Sequence, residues 1–174
     1  MTSYDFAKLQ DETDLERAIG VVFDEAHDKW TDLILDDESN DQRYDILEVL
    51  TEGQITVLVV ETYFGEVLNG EHYQYFSNES GGLANYAPAA LRRVGLDEFA
   101  PVVEAFIALF PDNRVPEDAE ERQETLDRIS DEYDDEFFEH LESAFDKLYH
   151  KKKTLWREKL FAYIVNHEDQ FVTD

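Results

Sequence analysis

The acidic residues of this chain recur at helical spacing, a pattern that could display negative charge in rows. The densest stretch, SDEYDDEFFEH at residues 130–140, holds six carboxylates and three aromatic rings in eleven positions. Side chains three or four residues apart lie on one face of a helix. The sequence therefore predicts three carboxylate rows on the solvent sides of helices. The first row is Glu25, Asp28, Asp32 and Asp36, the second row is Glu120, Glu124, Asp127 and Asp131, and the third row is Asp135, Glu139, Glu142 and Asp146.

Such rows could bind the cationic side chains of another protein. Eleven residues of helix rise about 16 Å, so each row carries four charges at intervals of about 5–6 Å. DNA shows one charge per about 1.7 Å of axis, or about 3.4 Å along each strand. One row is sparser than a phosphate strand, but two or three rows together approach its density. The alternative is that each row is simply the solvated face of an amphipathic helix.

The net charge limits the partners that the protein could bind. The 174 residues include 42 acids and 15 bases, a formal charge of −27. This sign excludes binding to nucleic acid or to an anionic membrane through phosphate neutralisation. Self-repulsion on this scale destabilises a compact state, which indicates that the charge has a use. Adaptation of the surface to high salt is an alternative, and the low lysine content, seven of the 174 residues, fits it.

The hydrophobic pattern predicts an all-α fold, a compact single-domain multi-helix bundle over residues 1–174. Hydrophobic residues make up 43% of the chain and aromatic residues 13%, enough for a folded core. Thr51 and Gln54 have the form of a capping box, although the β-branched run Ile55–Val60 could alternatively be a strand. SNESGG, residues 77–82, is predicted to be a loop. Helices are predicted at 15–34 and from Thr51 to Gly70. A short helix is predicted through Arg93, with Pro88 near its first turn, and further helices around 96–110 and at 117–130, 133–149 and 155–171.

Metal and catalytic sites find little support in the residue spacing. Residues 37–48 place acids and a serine at five positions of an EF-hand loop, but Gln42 stands where the turn needs glycine. A calcium-binding acidic protein therefore remains an alternative. The Glu-x-x-His pairs of di-iron bundles are not found, and the nearest spacing is Asp24-x-x-His27. Because cysteine and the common catalytic motifs are absent as well, we expect no enzyme, no metal and no cofactor.

The N-terminal residues and a basic segment near the C-terminus give two further predictions. The N-terminal residues have neither a basic region nor an apolar run, so we expect a cytoplasmic protein. The basic segment 147–159 has six Lys or Arg against one Glu, and we expect it to pair with acids nearby and to stabilise a helix C-terminus.

The segment EVLNGEHYQYFSNESG, residues 66–81, interleaves polar residues with aromatic rings and glycines. It is expected to end a helix at Asn69-Gly70 and to pack its rings inward, with the polar side chains satisfying exposed backbone groups. A binding pocket is the alternative.

This segment resembles the signature of a bacterial family of DNA-mimic proteins, which reads Glu-x-x-Asn-Gly-Gly, then aromatics, then Asn-x-Ser-Gly. Glu71 stands where the family has its second glycine. Residues 109–111, 126–145 and 161–171 also resemble family blocks, so the resemblance covers about 45–171 and leaves 1–44 as an N-terminal helix. The matching signature residues are Glu66, Asn69, Gly70, Phe76, Asn78, Ser80 and Gly81.

The resemblance implies an all-helical homodimer that occupies the DNA-binding surface of a transcription regulator and competes with DNA. The expected partner is thus a basic DNA-binding protein, bound by the carboxylate rows, without direct contact to nucleic acid or membrane. An immunity-type protein that neutralises a basic toxin nuclease is the rival hypothesis.

Overall fold

The computed structural model describes residues 15–35 and 49–171, and within these ranges the chain is helical and contains no strand. The predicted all-α fold is confirmed. Short 3₁₀ segments occur at Glu79–Tyr86, Pro111–Asn113 and Glu168–Gln170. None of the described helices has both the length and the apolar character that crossing a membrane requires. The α-helices are α1 (Leu15–Leu35), α2 (Glu52–Ser77), α3 (Ala87–Arg93), α4 (Ala100–Ile107), α5 (Ala119–Glu132), α6 (Asp135–Lys151) and α7 (Leu155–Asn166).

Backbone contacts divide the chain into two units. The first unit comprises residues 1–58 and 154–174, and the second unit comprises residues 59–153. The border between them falls inside α2. The single domain expected over residues 1–174 stays a prediction.

In the first unit, α1 packs against α7. Four of the apolar positions that set the helical period of α1 are buried, while Leu15, Phe23 and Trp30 are half-buried. α7 contributes a buried tryptophan and two buried aliphatic residues. These core residues are Ala18, Ile19, Val22 and Ala26 of α1 and Trp156, Leu160 and Ile164 of α7.

The start of α2 is fixed by the predicted capping box. The Gln54 N–H donates to Thr51 Oγ1 at 3.2 Å, and the Thr51 N–H donates to Gln54 Oε1 at 3.1 Å. The strand alternative for Ile55–Val60 is wrong, because this run lies inside α2. All of its residues are buried, and a helix buried on every side shows no amphipathic period.

Three predicted boundaries need correction. Residues 79–86 form a 3₁₀ helix where a loop was expected over 77–82. The helix expected at 96–110 is only Ala100–Ile107, since a turn with Gly95 at a φ of 75° precedes it. The helix expected at 155–171 ends at Asn166, yet Phe171 beyond it is buried. Its apolar spacing therefore continued past the true helix end.

Replacing Gly65 with alanine should stabilise the protein by about 0.5–1 kcal/mol, because glycine inside a helix costs conformational entropy. Gly65 is exposed in α2, and an added Cβ would meet nothing within 4 Å. Urea unfolding of the variant checks this. Gly53→Ala in the same helix is the opposite control, since its Cβ would lie 2.5 Å from Gln170 Cβ. A lower midpoint for Gly65→Ala than for the wild type would contradict the prediction.

Candidate partner-binding surface

The second row is fully displayed on α5. All four of its side chains are exposed, while the opposite face of the helix buries Thr125, Leu126 and Ile129. Asp118 caps the helix by accepting a hydrogen bond from the Glu121 N–H at 2.8 Å. One carboxylate of the row accepts a hydrogen bond from a neutral side chain, from Gln123 Nε2 to Asp127 Oδ1 at 2.8 Å. The buried face and the cap therefore hold four exposed carboxylates in one line.

The third row lies on α6, but one member turns inward. Asp135, Glu139 and Asp146 are exposed, whereas the Glu142 side chain is 13% exposed. Glu142 Oε1 accepts from the His72 N–H at 2.9 Å, and Oε2 lies 2.7 Å from His72 Nδ1. The prediction that Glu142 belongs to an exposed row is therefore corrected, because this carboxylate is engaged within the protein.

His72 connects Glu142 to the aromatic core of the second unit. Its ring is fully buried and stacks on Phe106, with centroids 4.0 Å apart and planes 9° apart. His72 Nε2 lies 2.9 Å from the Tyr63 hydroxyl. Burial, together with the nearby Tyr75 and Glu142, raises the pKa of Tyr63 well above its usual range. The Tyr63–His72–Glu142 chain thus fixes α6 to α2.

The first row lies on α1 in the first unit. Asp28 and Asp32 are exposed. Glu25 is half-buried, and its Oε1 lies 2.8 Å from Lys29 Nζ. Asp36 lies outside the described residues. Of the first row, the structure therefore places two acids in solvent.

The signature residues are held by hydrogen bonds to one another. Glu66 Oε2 accepts from Gln74 Nε2 and from Asn78 Nδ2, both at 2.9 Å, and Glu66 Oε1 accepts from Ser80 Oγ at 3.2 Å. Phe76 packs in the core, and Asn69 is exposed. The polar side chains thus satisfy each other, where the sequence suggested that they satisfy exposed backbone.

Arg122 is a key residue that sequence reasoning missed. It is only 1% exposed and donates to four backbone carbonyls: Nε to Phe76 at 2.8 Å, Nη1 to Pro116 at 2.9 Å and to Glu117 at 2.8 Å, and Nη2 to Asn78 at 3.0 Å. Burial lowers the pKa of its guanidinium. Arg122 thereby fixes the signature segment to α5. The signal in the sequence that could have indicated its burial was its position in the apolar stripe with Leu126 and Ile129.

α2 is kinked after Asn69, where Gly70 and Glu71 leave the helical conformation. Glu71 has a φ of 64° and a ψ of −177°, a region that is almost exclusive to glycine and costs other residues about 1–3 kcal/mol. Helical backbone lies on both sides of this point. One helical segment of α2 therefore ends at Asn69-Gly70, where the sequence predicted a helix end, but the aromatic residues that follow form a second helical segment instead of a turn.

Replacing Glu71 with glycine should therefore stabilise the protein by about 1 kcal/mol or more. Glu71→Ala removes the same charge but keeps a Cβ at the strained φ, so it should bring no comparable gain. Chemical denaturation of the two variants and the wild type checks this. Equal gains from glycine and alanine would show that charge, and not backbone strain, is responsible.

The basic segment pairs with acids, as predicted. Lys152 Nζ binds the Glu98 carboxylate, and this hydrogen bond lowers the pKa of Glu98. Arg157 Nη1 lies 3.5 Å from Glu16 Oε1, and its guanidinium stacks over the Trp156 ring.

The sequence left a calcium-binding loop as an alternative. Across residues 15–35 and 49–171, no group of three or more His, Asp or Glu side chains is arranged to hold a metal ion. The EF-hand-like residues Asp37, Ser39, Asp41, Asp45 and Glu48 lie outside these ranges.

Comparison with known proteins identifies a family. The family model described as DMP19-like protein matches residues 48–167, more than half of the chain. The match contains the signature segment and the whole of the second and third rows, but not the first row. Comparisons with curated proteins and with solved structures gave no match. The chain therefore belongs to the DMP19-like protein family.

Proposed function

We propose that this protein is a DNA mimic that binds the DNA-binding surface of a basic protein, such as a transcription regulator, and so competes with DNA. The family match and the resemblance of residues 66–81 to a DNA-mimic signature support this. The observation that carries the proposal is the second row, four exposed carboxylates aligned on a helix whose other face is buried.

The mechanism is electrostatic and depends on preorganisation. The second row and the three exposed members of the third row provide seven carboxylates on two helices of one unit. These carboxylates take the place of phosphates against the Lys and Arg side chains of the partner. Because the helices already hold the row in place, little backbone entropy is lost on binding. Long-range attraction speeds association, and salt weakens it because the Debye length is only about 8 Å at physiological ionic strength.

The proposal places the partner surface on α5 and α6. The first row contributes less to it, because Glu25 is paired with Lys29 and the row falls outside the family match. We also propose that the protein is a non-enzymatic homodimer that acts in the cytoplasm.

The proposal is tested by capture from a bacterial lysate at low salt. Immobilised protein should enrich basic DNA-binding proteins, and both rising salt and added duplex DNA should release them. Release by duplex DNA is the critical step, because it requires that DNA and the mimic share one surface on the partner. Captured proteins that duplex DNA cannot displace would contradict the proposal, and capture of a single toxin nuclease would favour the immunity-type rival.

A further inference from the structure

The second unit contains a cavity of about 470 Å³. It is bordered by α5, α6, the C-terminal part of α2 and the residues around the end of α4. This volume falls within the range of about 300–1,000 Å³ that is usual for ligand pockets. Its apolar lining, called the floor below, includes the buried Phe76, Phe106, Phe110, Leu126 and Ile129 and the half-buried Phe138.

The rim of the cavity is acidic on one side. Four exposed carboxylates and the inward-turned Glu142 line it, and no Lys, Arg or His is among the described residues that do so. Three of the exposed acids are the displayed members of the third row, and the fourth is the strained Glu71. The four exposed rim acids are Glu71, Asp135, Glu139 and Asp146.

An apolar floor beside an acidic rim is complementary to a basic amphipathic helix. We propose that the cavity receives one or two apolar side chains of such a segment of the partner, while Lys or Arg side chains on its flanks pair with the rim. The inference rests on the proposed function for the basic character of the partner, and it adds the element that is recognised. A second copy of this chain is disfavoured as the occupant, because its charge of −27 would meet the same acidic rim.

The charge pairs at the rim and the apolar burial in the cavity respond differently to salt. Pairing between exposed charges weakens as ionic strength rises, whereas burial of apolar surface does not. Burying one large apolar side chain contributes about 1.5–3 kcal/mol. Binding that uses the cavity should therefore persist at a salt concentration that removes purely electrostatic binding.

The test uses two synthetic peptides of equal charge. One has Lys and Leu at helical spacing, so that Leu forms one face, and the other has Ser in place of every Leu. Calorimetric titration at 0.05 M and 0.5 M NaCl should show both peptides binding at low salt. At high salt the Leu peptide should bind at least about tenfold more tightly than the Ser peptide.

A matched pair of variants assigns this difference to the cavity. Ser143→Trp fills the cavity from α6, whereas Ala144→Trp adds the same ring at the neighbouring exposed position, which does not line the cavity. Ser143→Trp should remove the advantage of the Leu peptide, and Ala144→Trp should keep it. If circular dichroism shows that Ser143→Trp is unfolded, Ser130→Trp fills the same cavity from α5.

The inference is overturned if neither peptide binds, if both bind equally at high salt, or if the Leu advantage survives both cavity-filling variants. It is also overturned if Ser143→Trp converts a dimer to a monomer in sedimentation while peptide binding is unchanged, since a second copy would then occupy the cavity. Equal, salt-sensitive binding of both peptides would leave the DNA-mimic proposal standing. If peptide binding depends on the cavity but duplex DNA does not release the captured proteins, the DNA-mimic proposal is contradicted and the inference about the cavity is not.

Discussion

Replacing Gly81 with alanine should destabilise the protein by about 3 kcal/mol or more. An added Cβ would lie 2.3 Å from the Phe76 carbonyl oxygen and 2.6 Å from Arg122 Nε, which are partners in one hydrogen bond. The backbone oxygen cannot move without shifting the signature segment, so the clash must break that bond or distort the segment. Overpacking of a core costs about 1–3 kcal/mol, and loss of a hydrogen bond to a charged group about 1.5–3 kcal/mol.

Gly82→Ala is the control for this prediction. A Cβ at Gly82 would meet its nearest neighbour, the Glu117 carbonyl oxygen, at 3.7 Å, which is ordinary contact. The neighbouring glycines lie in the same 3₁₀ segment, so both variants change backbone entropy to a similar extent. Urea unfolding should place Gly82→Ala within about 0.5 kcal/mol of the wild type. Similar losses in both variants would show that the contact with Arg122 is not the cause.

This segment also marks the limit of prediction from sequence. The capping box at Thr51 and the apolar stripe of α1 were predictable, because residues a few positions apart determine them. The position of Arg122 was not, since its acceptor Phe76 lies 46 residues away along the chain. An arginine within a charged run is expected in solvent, and only its place in the apolar stripe indicated otherwise.

The carboxylate rows show the same contrast between features set by neighbouring residues and features set by residues far apart along the chain. Helical spacing placed the second row on one face, and the structure leaves that face exposed. The spacing of the third row is equally regular, yet Glu142 binds His72, which lies 70 residues earlier in the chain. Periodicity identifies which residues share a face, but it does not reveal that another helix brings a buried histidine to that face. The sequence offered a binding pocket as the alternative at residues 66–81, and Glu71, Tyr73 and Phe76 of this segment line the cavity. The residues of α4, α5 and α6 that complete the cavity had no signal in the sequence, because they lie far away along the chain.

Reversing three charges of the second row, in Glu124→Lys, Asp127→Lys and Asp131→Lys, should weaken binding to a captured DNA-binding partner about 100-fold. An exposed ion pair contributes up to about 1 kcal/mol, and three such losses total about 3 kcal/mol, or roughly two factors of ten in affinity. Titration of the purified partner at fixed ionic strength measures the change. The variant should remain folded, because these side chains are exposed and lysine near the end of a helix is favourable.

The decisive control places the same three reversals elsewhere, at the exposed residues Asp97, Glu158 and Asp169. Each reversal changes the charge by two, so both triple variants move the net charge from −27 to −21. If only the overall charge attracts the partner, the two variants should lose equal affinity. If the row substitutes for a phosphate strand, the second-row variant should lose far more, and its affinity should depend less steeply on salt because fewer close charge pairs remain. Equal losses would therefore reduce the second row to a solvated helix face.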